Sequence, residues 1–222
     1  MDNPWKNLKK INNEYFAECD RYLLHNTYYR NSFKKDCELK LNVIPGPYTG
    51  DLLNAKVYLL ALNPGYDDDD ISFSEKYENE VINNLLHIYD EYPFLILNPR
   101  YRNSAGAGWW CSKLKDFICD IGLEKIAKTV CNIEYFPYHS RNFHNNNKKL
   151  PSQEYSFLFV KKAIIENKII IIMRSEKLWY KTIPELENYV KKYVLNSNQN
   201  VTVSPKNLGL NNYKYIINEL EK

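Results

Sequence analysis

Three polar stretches stand where apolar runs stop, and their residue types could do chemistry. The first, Asn63-Pro64-Gly65-Tyr66, closes the run 57–62 and leads into four carboxylates, Asp67 to Asp70. Pro64 keeps Asn63 extended and Gly65 permits a turn that most residues resist, so an amide is held at the end of a strand. The second is residues 129–143, "TVCNIEYFPYHSRNF". Here Asn132 and Glu134 come near the end of an apolar run, and Tyr135, Phe136, Tyr138, His139 and Arg141 follow. Aromatics mixed with Asn, His and Arg suit stacking and edge recognition of a nucleobase, or contacts to a phosphate. The third, Thr202-Val203-Ser204-Pro205-Lys206-Asn207, offers a hydroxyl and a cation from a stiff loop, an arrangement suited to a phosphodiester. Each stretch alone also reads as something plainer: a strand-to-loop turn, a Tyr-rich rim, a solvated acidic loop.

The elements that must position them follow from the hydrophobic pattern. Apolar residues recur at helical intervals from Trp5 to about Tyr29, so residues 1–44 are expected to form a helical segment packed on the rest. Residues 44–51, "IPGPYTGD", read as a turn-rich loop. Strands are expected at 57–62, 129–136, 168–173 and 200–203, with a short extended piece at 94–97. Helical patterns at 77–90, 109–121, 153–167 and 181–194 separate them, and Gly122 ends the second. Strands apolar along most of their length that alternate with helices imply a mostly parallel sheet covered on both faces. The expected fold is α/β, a three-layer α/β/α sandwich with a central, mostly parallel four-stranded sheet, in one domain over residues 1–222. In such sheets ligands bind beyond the carboxyl ends of the strands, which is where the three stretches fall.

Bulk composition narrows the function less. With 44% hydrophobic residues the chain can build a core, and a net charge of +3 with pI near 8.4 permits a polyanionic partner without requiring one. Five scattered cysteines with no Cys-x-x-Cys pair read as reduced thiols. There is no signal-like apolar stretch at the N-terminus and no run long enough to span a membrane, so a soluble, cytoplasmic monomer without membrane partners is expected. The absence of Gly-x-x-x-x-Gly-Lys-Ser/Thr, of Gly-x-Gly-x-x-Gly after a strand and of a Gly-x-Ser-x-Gly elbow argues against a P-loop kinase, a dinucleotide enzyme and a serine hydrolase.

Taken together, Leu62-Asn63-Pro64-Gly65, the paired Trp109 and Trp110, Asn132 at a middle strand and Ser204-Pro205-Lys206-Asn207 resemble the uracil-DNA glycosylase superfamily, in the order that family uses. The likeness covers about residues 45 to 215 and is nearest to the mismatch-specific and single-strand-selective branches. It implies an enzyme that takes DNA as partner, flips a nucleotide out and hydrolyses its N-glycosidic bond, with no metal or organic cofactor. By this resemblance Asn63 would position the attacking water, Tyr66 or Phe73 would stack on the base, and Asn132, with Glu134 beside it, would read the base edge. Ser204, Lys206 and Asn207, with His139 and Arg141, would contact DNA, and Lys206 or Leu208 would stand where the family places its wedge into the base stack.

The chain departs from the family where it has Thr202 in place of a His that helps stabilise the departing base. Asp67 or Asp68 could then serve as general base or as partner of an oxocarbenium-like sugar. Gly106-Ala107-Gly108 removes bulk where it could border the pocket, which suggests a larger substrate such as the glucosylated hydroxymethylcytosine of phage DNA, excised in antiviral defence. A repair glycosylase for uracil or another deaminated base, and a non-catalytic DNA or nucleotide binder, are the alternatives.

Overall fold

The computed structural model describes residues 1–197 and 199–222. The chain opens with a hairpin of β1 (Leu8–Ile11) and β2 (Glu14–Ala17), where amphipathic helices were expected. The reason is local: Asn12 and Asn13 have φ of 51° and 62°, the left-handed pair that a two-residue hairpin turn demands and that Asn tolerates well. Only short helices, Arg21–Leu24 and Thr27–Asn31, follow. Trp5, Tyr15 and Phe16 still turn into the core, and the fully buried Asp20 ties the segment down by accepting from Tyr138 Oη at 2.7 Å and Ser152 N at 2.9 Å.

The main sheet contains β3 (Tyr48–Thr49), β4 (Val57–Ala61), β5 (Val130–Glu134), β6 (Ile169–Ile172) and β7 (Lys192–Val194) in the order β3-β5-β4-β6-β7. The four strands β4 to β7 run parallel, and β3 lies antiparallel on β5. The expectation of four strands is therefore corrected at both edges. Residues 44–51 supply the edge strand β3 as well as a turn. Residues 200–203 form no strand, and the last parallel strand is Lys192–Val194, within the stretch expected to be helical. Pro184 explains the second change, because it disfavours helix at Ile183 and stops the helix Glu176–Thr182 early. Residues 94–97 likewise wind into the 3-10 turn Leu95–Leu97 instead of extending.

Alternation along β4 divides the core. Tyr58 and Leu60 pack with Ile133, Ile170 and Ile172 beneath the helix Gln153–Ile165, whose Phe157 and Val160 are buried. Val57, Leu59 and Ala61 face the other way with Val130 and Ile171, under the helices Ala105–Lys113, Lys115–Ile121, Leu123–Thr129 and Leu210–Glu221. Helices thus cover both faces, as an apolar parallel sheet requires. Asn132 and Glu134 are the polar exceptions on this second face, opposite Leu59 and Ala61 in register. From β5 the chain passes back over β4 to β6, so the connections leave in opposite directions and a crevice opens at the carboxyl ends. No helix among the described residues is long and apolar enough to cross a membrane.

Gly50 makes the β3 edge possible. Its φ is +101°, and a Cβ there would lie 2.7 Å from Cys131 Cα and 2.8 Å from Val130 O. Gly50→Ala is expected to destabilise the fold by on the order of 3 kcal/mol, combining a disfavoured φ with a backbone clash, read as a lowered urea midpoint at unchanged slope.

Candidate functional site

A cavity of about 510 Å³ opens at the carboxyl ends of β4, β5 and β6, a volume within the range of small-molecule sites. Its entrance is built by two loops joined to each other. Tyr135 N and Phe136 N donate to Ala61 O (3.3 Å) and Leu62 O (2.8 Å), and Ser140 N donates to Pro64 O (3.3 Å). His139 Nδ1–H donates to Gly65 O at 2.6 Å, and Asn63 Nδ2 donates to Ser140 Oγ at 3.0 Å and Ser140 O at 3.2 Å. The Asn63 amide nitrogen is therefore committed to the scaffold. Its Oδ1 accepts nothing among the described residues and remains able to accept from a water or ligand.

The floor is polar and incompletely satisfied. Asn132 Nδ2 donates to Glu134 Oε1 at 2.8 Å, which leaves Asn132 Oδ1 and Glu134 Oε2 buried without a partner. Arg174, the residue after Met173 at the end of β6, also lines the cavity, and its Nε is buried and unpaired. Burial pushes the Glu134 carboxyl up to about 7, against the hydrogen bond from Asn132 and the nearby Arg174 charge. Each unpaired buried polar atom costs about 1 to 3 kcal/mol, so Asn132 Oδ1, Glu134 Oε2 and Arg174 Nε all favour a hydrogen-bonding partner.

Aromatic walls rise from the floor. Phe73 lines the cavity and is braced by Tyr77 and Tyr101, with ring centroids 5.0 and 5.3 Å away. Trp109, 39% exposed, stands edge-on to the buried Trp110 at 4.7 Å. Gly106 borders the cavity, as its neighbourhood in the sequence suggested, and a Cβ there would approach Ile96 Cγ1 to 3.2 Å. Gly108 does not line it.

The acidic run divides by position. Asp68 is exposed and pairs with Arg141 at 2.8 Å on the outer surface, while Asp67 reaches the rim. Asp70, a member of the acidic run ranked behind Asp67 and Asp68 in the sequence reading, is half-buried in the cavity wall, and its Oδ2 accepts from Asp67 N at 2.7 Å. Burial and the neighbouring acids raise its carboxyl, partly offset by the hydrogen bond from Asp67 and by His139 nearby. These acids also open the helix Asp69–Lys76, where negative charge is favoured by the helix dipole. Burial lowers the His139 imidazole below its ordinary range, with Asp70 opposing, so with Nδ1 bound to Gly65 it braces the loop. Tyr66 lies at the rim with Lys40 and Arg141 each 5.4 Å from its ring centroid.

The third stretch is not brought to the cavity, and only Val201 from that region lines it. Two expected DNA contacts are corrected. Asn207 is buried and fully occupied, donating to Asn200 O and Thr202 O and accepting from Ser197 N, so it staples the loop. Leu208 is 4% exposed in the core and has no free tip to act as a wedge. Ser204 Oγ accepts from Asn207 N and caps the turn Pro205–Leu208, while Lys206 is exposed. Arg174 also lines the cavity; in sequence the strand end Arg174-Ser175-Glu176 is polar but too generic to interpret. Among the described residues no group of three His, Cys, Asp or Glu side chains is placed to hold a metal ion.

Comparison with protein-family models, with curated proteins and with solved structures returned no match to this chain.

Glu134 provides a test of the floor. A carboxyl whose folded-state pKa is raised above its ordinary 4.5 destabilises the fold as pH climbs from there to about 7, with the full effect above. Glu134→Gln is therefore expected to leave stability little changed near pH 4 and to raise it at pH 8 by on the order of 3 kcal/mol, the linkage of a carboxyl lifted to about 7. Urea titrations of both proteins at the two pH values measure it.

Proposed function

We propose that the protein is a DNA glycosylase, hydrolysing the N-glycosidic bond of a nucleotide flipped into the cavity. The observation that carries the reading is the floor: Asn132 Oδ1 and Glu134 Oε2, buried and unpartnered, at the bottom of an aromatic-walled cavity of about 510 Å³, large enough to admit a nucleobase. A base edge brings the missing hydrogen bonds, and Phe73 and Trp109 offer faces for stacking. The resemblance to the uracil-DNA glycosylase superfamily in Asn63-Pro64-Gly65 and Asn132 points the same way, as does the parallel strand order with the site at the carboxyl ends.

In this reading Asn63 Oδ1 holds a water against the sugar carbon, and the carboxylates of Asp67 and Asp70 face the positive charge that develops on the sugar. Lys40 and Arg141 around Tyr66 form the cationic lip that meets the phosphate backbone. The cavity exceeds what a bare pyrimidine fills, which favours a base with a large substituent, such as the glucosylated hydroxymethylcytosine of phage DNA. Antiviral defence would be the setting for such an activity.

Mass-spectrometric assay of released bases tests this on normal, uracil-containing and glucosylated phage DNA. Release of the modified base with an abasic site left behind is expected; release of uracil alone would redirect the substrate to deaminated bases, and intact DNA throughout would refute the enzyme. Asn63→Ala is expected to lower kcat about 100-fold, the scale of a lost proton-handling or water-positioning group, with KM for DNA little changed.

A further inference from the structure

We infer that Arg174 is the anion-holding group of the cavity, its guanidinium receiving the negative charge that a base carries when its bond to the sugar breaks. The assignment of that anion as a leaving base rests on the glycosylase reading; the anion site does not.

The backbone fixes where Arg174 stands. Met173 N donates to Leu60 O at 2.9 Å, which anchors the end of β6 to β4. Ser175 then adopts a left-handed conformation, φ 53° and ψ 51°, and the chain turns away into the helix Glu176–Thr182. Arg174 is left at the strand end beside the floor, half-buried, with Nε enclosed and unpaired. It joins none of the ion pairs among the described residues. Arg141 is the contrast, an exposed guanidinium in a solvent-exposed pair with Asp68. Glu134 feels the Arg174 charge but does not bond to it, and burial favours its neutral form. A guanidinium drawn partly out of water, with Nε buried and no carboxylate paired to it among the described residues, is a strong site for an anion, since its N–H donors can form charge-assisted bonds to one.

Its location selects the anion. A phosphodiester belongs at the rim, where Lys40 and Arg141 flank Tyr66. A group on the floor, next to Asn132 and Glu134, meets the edge of an inserted base. In the reaction the C1′–N bond breaks and its electron pair leaves on the base, where the charge spreads to the ring carbonyl beside that nitrogen. Water oxygen bonds to C1′, and the water's proton passes to a rim carboxylate and on to solvent. Arg174 would stabilise the departing anion, a task that Thr202, whose hydroxyl is turned to Asn200 Oδ1 at 2.8 Å, does not perform.

Two measurements test it. In the first, full-length protein is titrated with 5-nitrouracil, an acidic pyrimidine coloured as its anion, with inorganic phosphate as the competing probe. The wild type is expected to bind the anion and lower its ionisation midpoint, and Arg174→Met to weaken binding about 10- to 100-fold, the range of a lost hydrogen bond to a charged group. Should Arg174→Met fail to fold, Arg174→Lys is read in the same titration, with a smaller loss expected because the charge is kept and the planar fork is not. Equal binding by wild type and variant, no binding by the wild type, or preference for phosphate would overturn the proposal.

In the second, on whichever DNA the wild type cleaves, Arg174→Met is expected to lower kcat with KM held. The loss should be smaller for a 5-fluorinated base, a better leaving group, and partly restored by added guanidinium. A loss independent of the leaving group would mark a merely structural role and overturn the catalytic assignment. Anion binding through Arg174 without base release from any DNA would sink the glycosylase reading and leave the anion site standing.

Discussion

The joining of the β4 exit to the β5 exit is the constraint on which the site depends. Pro64 has no N–H, so the loop after β4 presents mainly carbonyls, and the loop after β5 answers with donors: Phe136 N, His139 Nδ1 and Ser140 N. The parallel register that sets Ala61 opposite Glu134 brings the two loops level. Once they are joined, Asn63 is oriented from its nitrogen side by Ser140, and only its oxygen is left for work. The half-buried His139 ring braces the joint by donating Nδ1–H to Gly65 O at 2.6 Å.

A second consequence concerns stability. The floor brings together three unpaired polar atoms, on Asn132 and Glu134 of β5 and on Arg174 just past β6, beside the apolar strands β4 and β6. Buried polar groups are ordinarily satisfied, so each of these atoms favours a partner, as do Trp5 Nε1, Tyr29 Oη, Tyr101 Oη and Trp179 Nε1 away from the cavity. The apolar strands β4 and β6 hold the cluster in place, with every residue of both buried. The surrounding packing thus offsets the desolvation of the floor, and preorganisation of the site is obtained at the expense of local stability.

Much of this was legible in the sequence, and the failures have physical causes. β4, β5 and β6 announce themselves as continuous apolar runs because both their faces are covered. β3 and β7 do not, being two and three residues long at the sheet edges, where propensity carries little information. The opening hairpin was hidden because Trp5, Leu8, Ile11 and Tyr15 fit a helical period as well as a hairpin packed on one side. Asn132 and Glu134 were readable as polar residues interrupting an apolar strand. Arg174 was not, since no pattern local to the chain says that β6 lies beside β4. Nor could the four aspartates be told apart until the start of a helix placed Asp70 inward and Asp68 outward.

The charges that line the cavity come from different strand ends. Carboxylates of Asp67 and Asp70 belong to the loop and helix start after β4, near the lip that Asn63 defines, whereas the unpaired guanidinium of Arg174 belongs to the floor. Breaking a glycosidic bond separates charge along the bond, positive on the sugar and negative on the base. A base inserted edge-first toward Asn132 would lay that bond between the acids and the cation, each facing the charge of opposite sign. Fixed charges aligned with a developing dipole lower its energy without reorganising during the reaction, and a site partly closed to water keeps them unscreened.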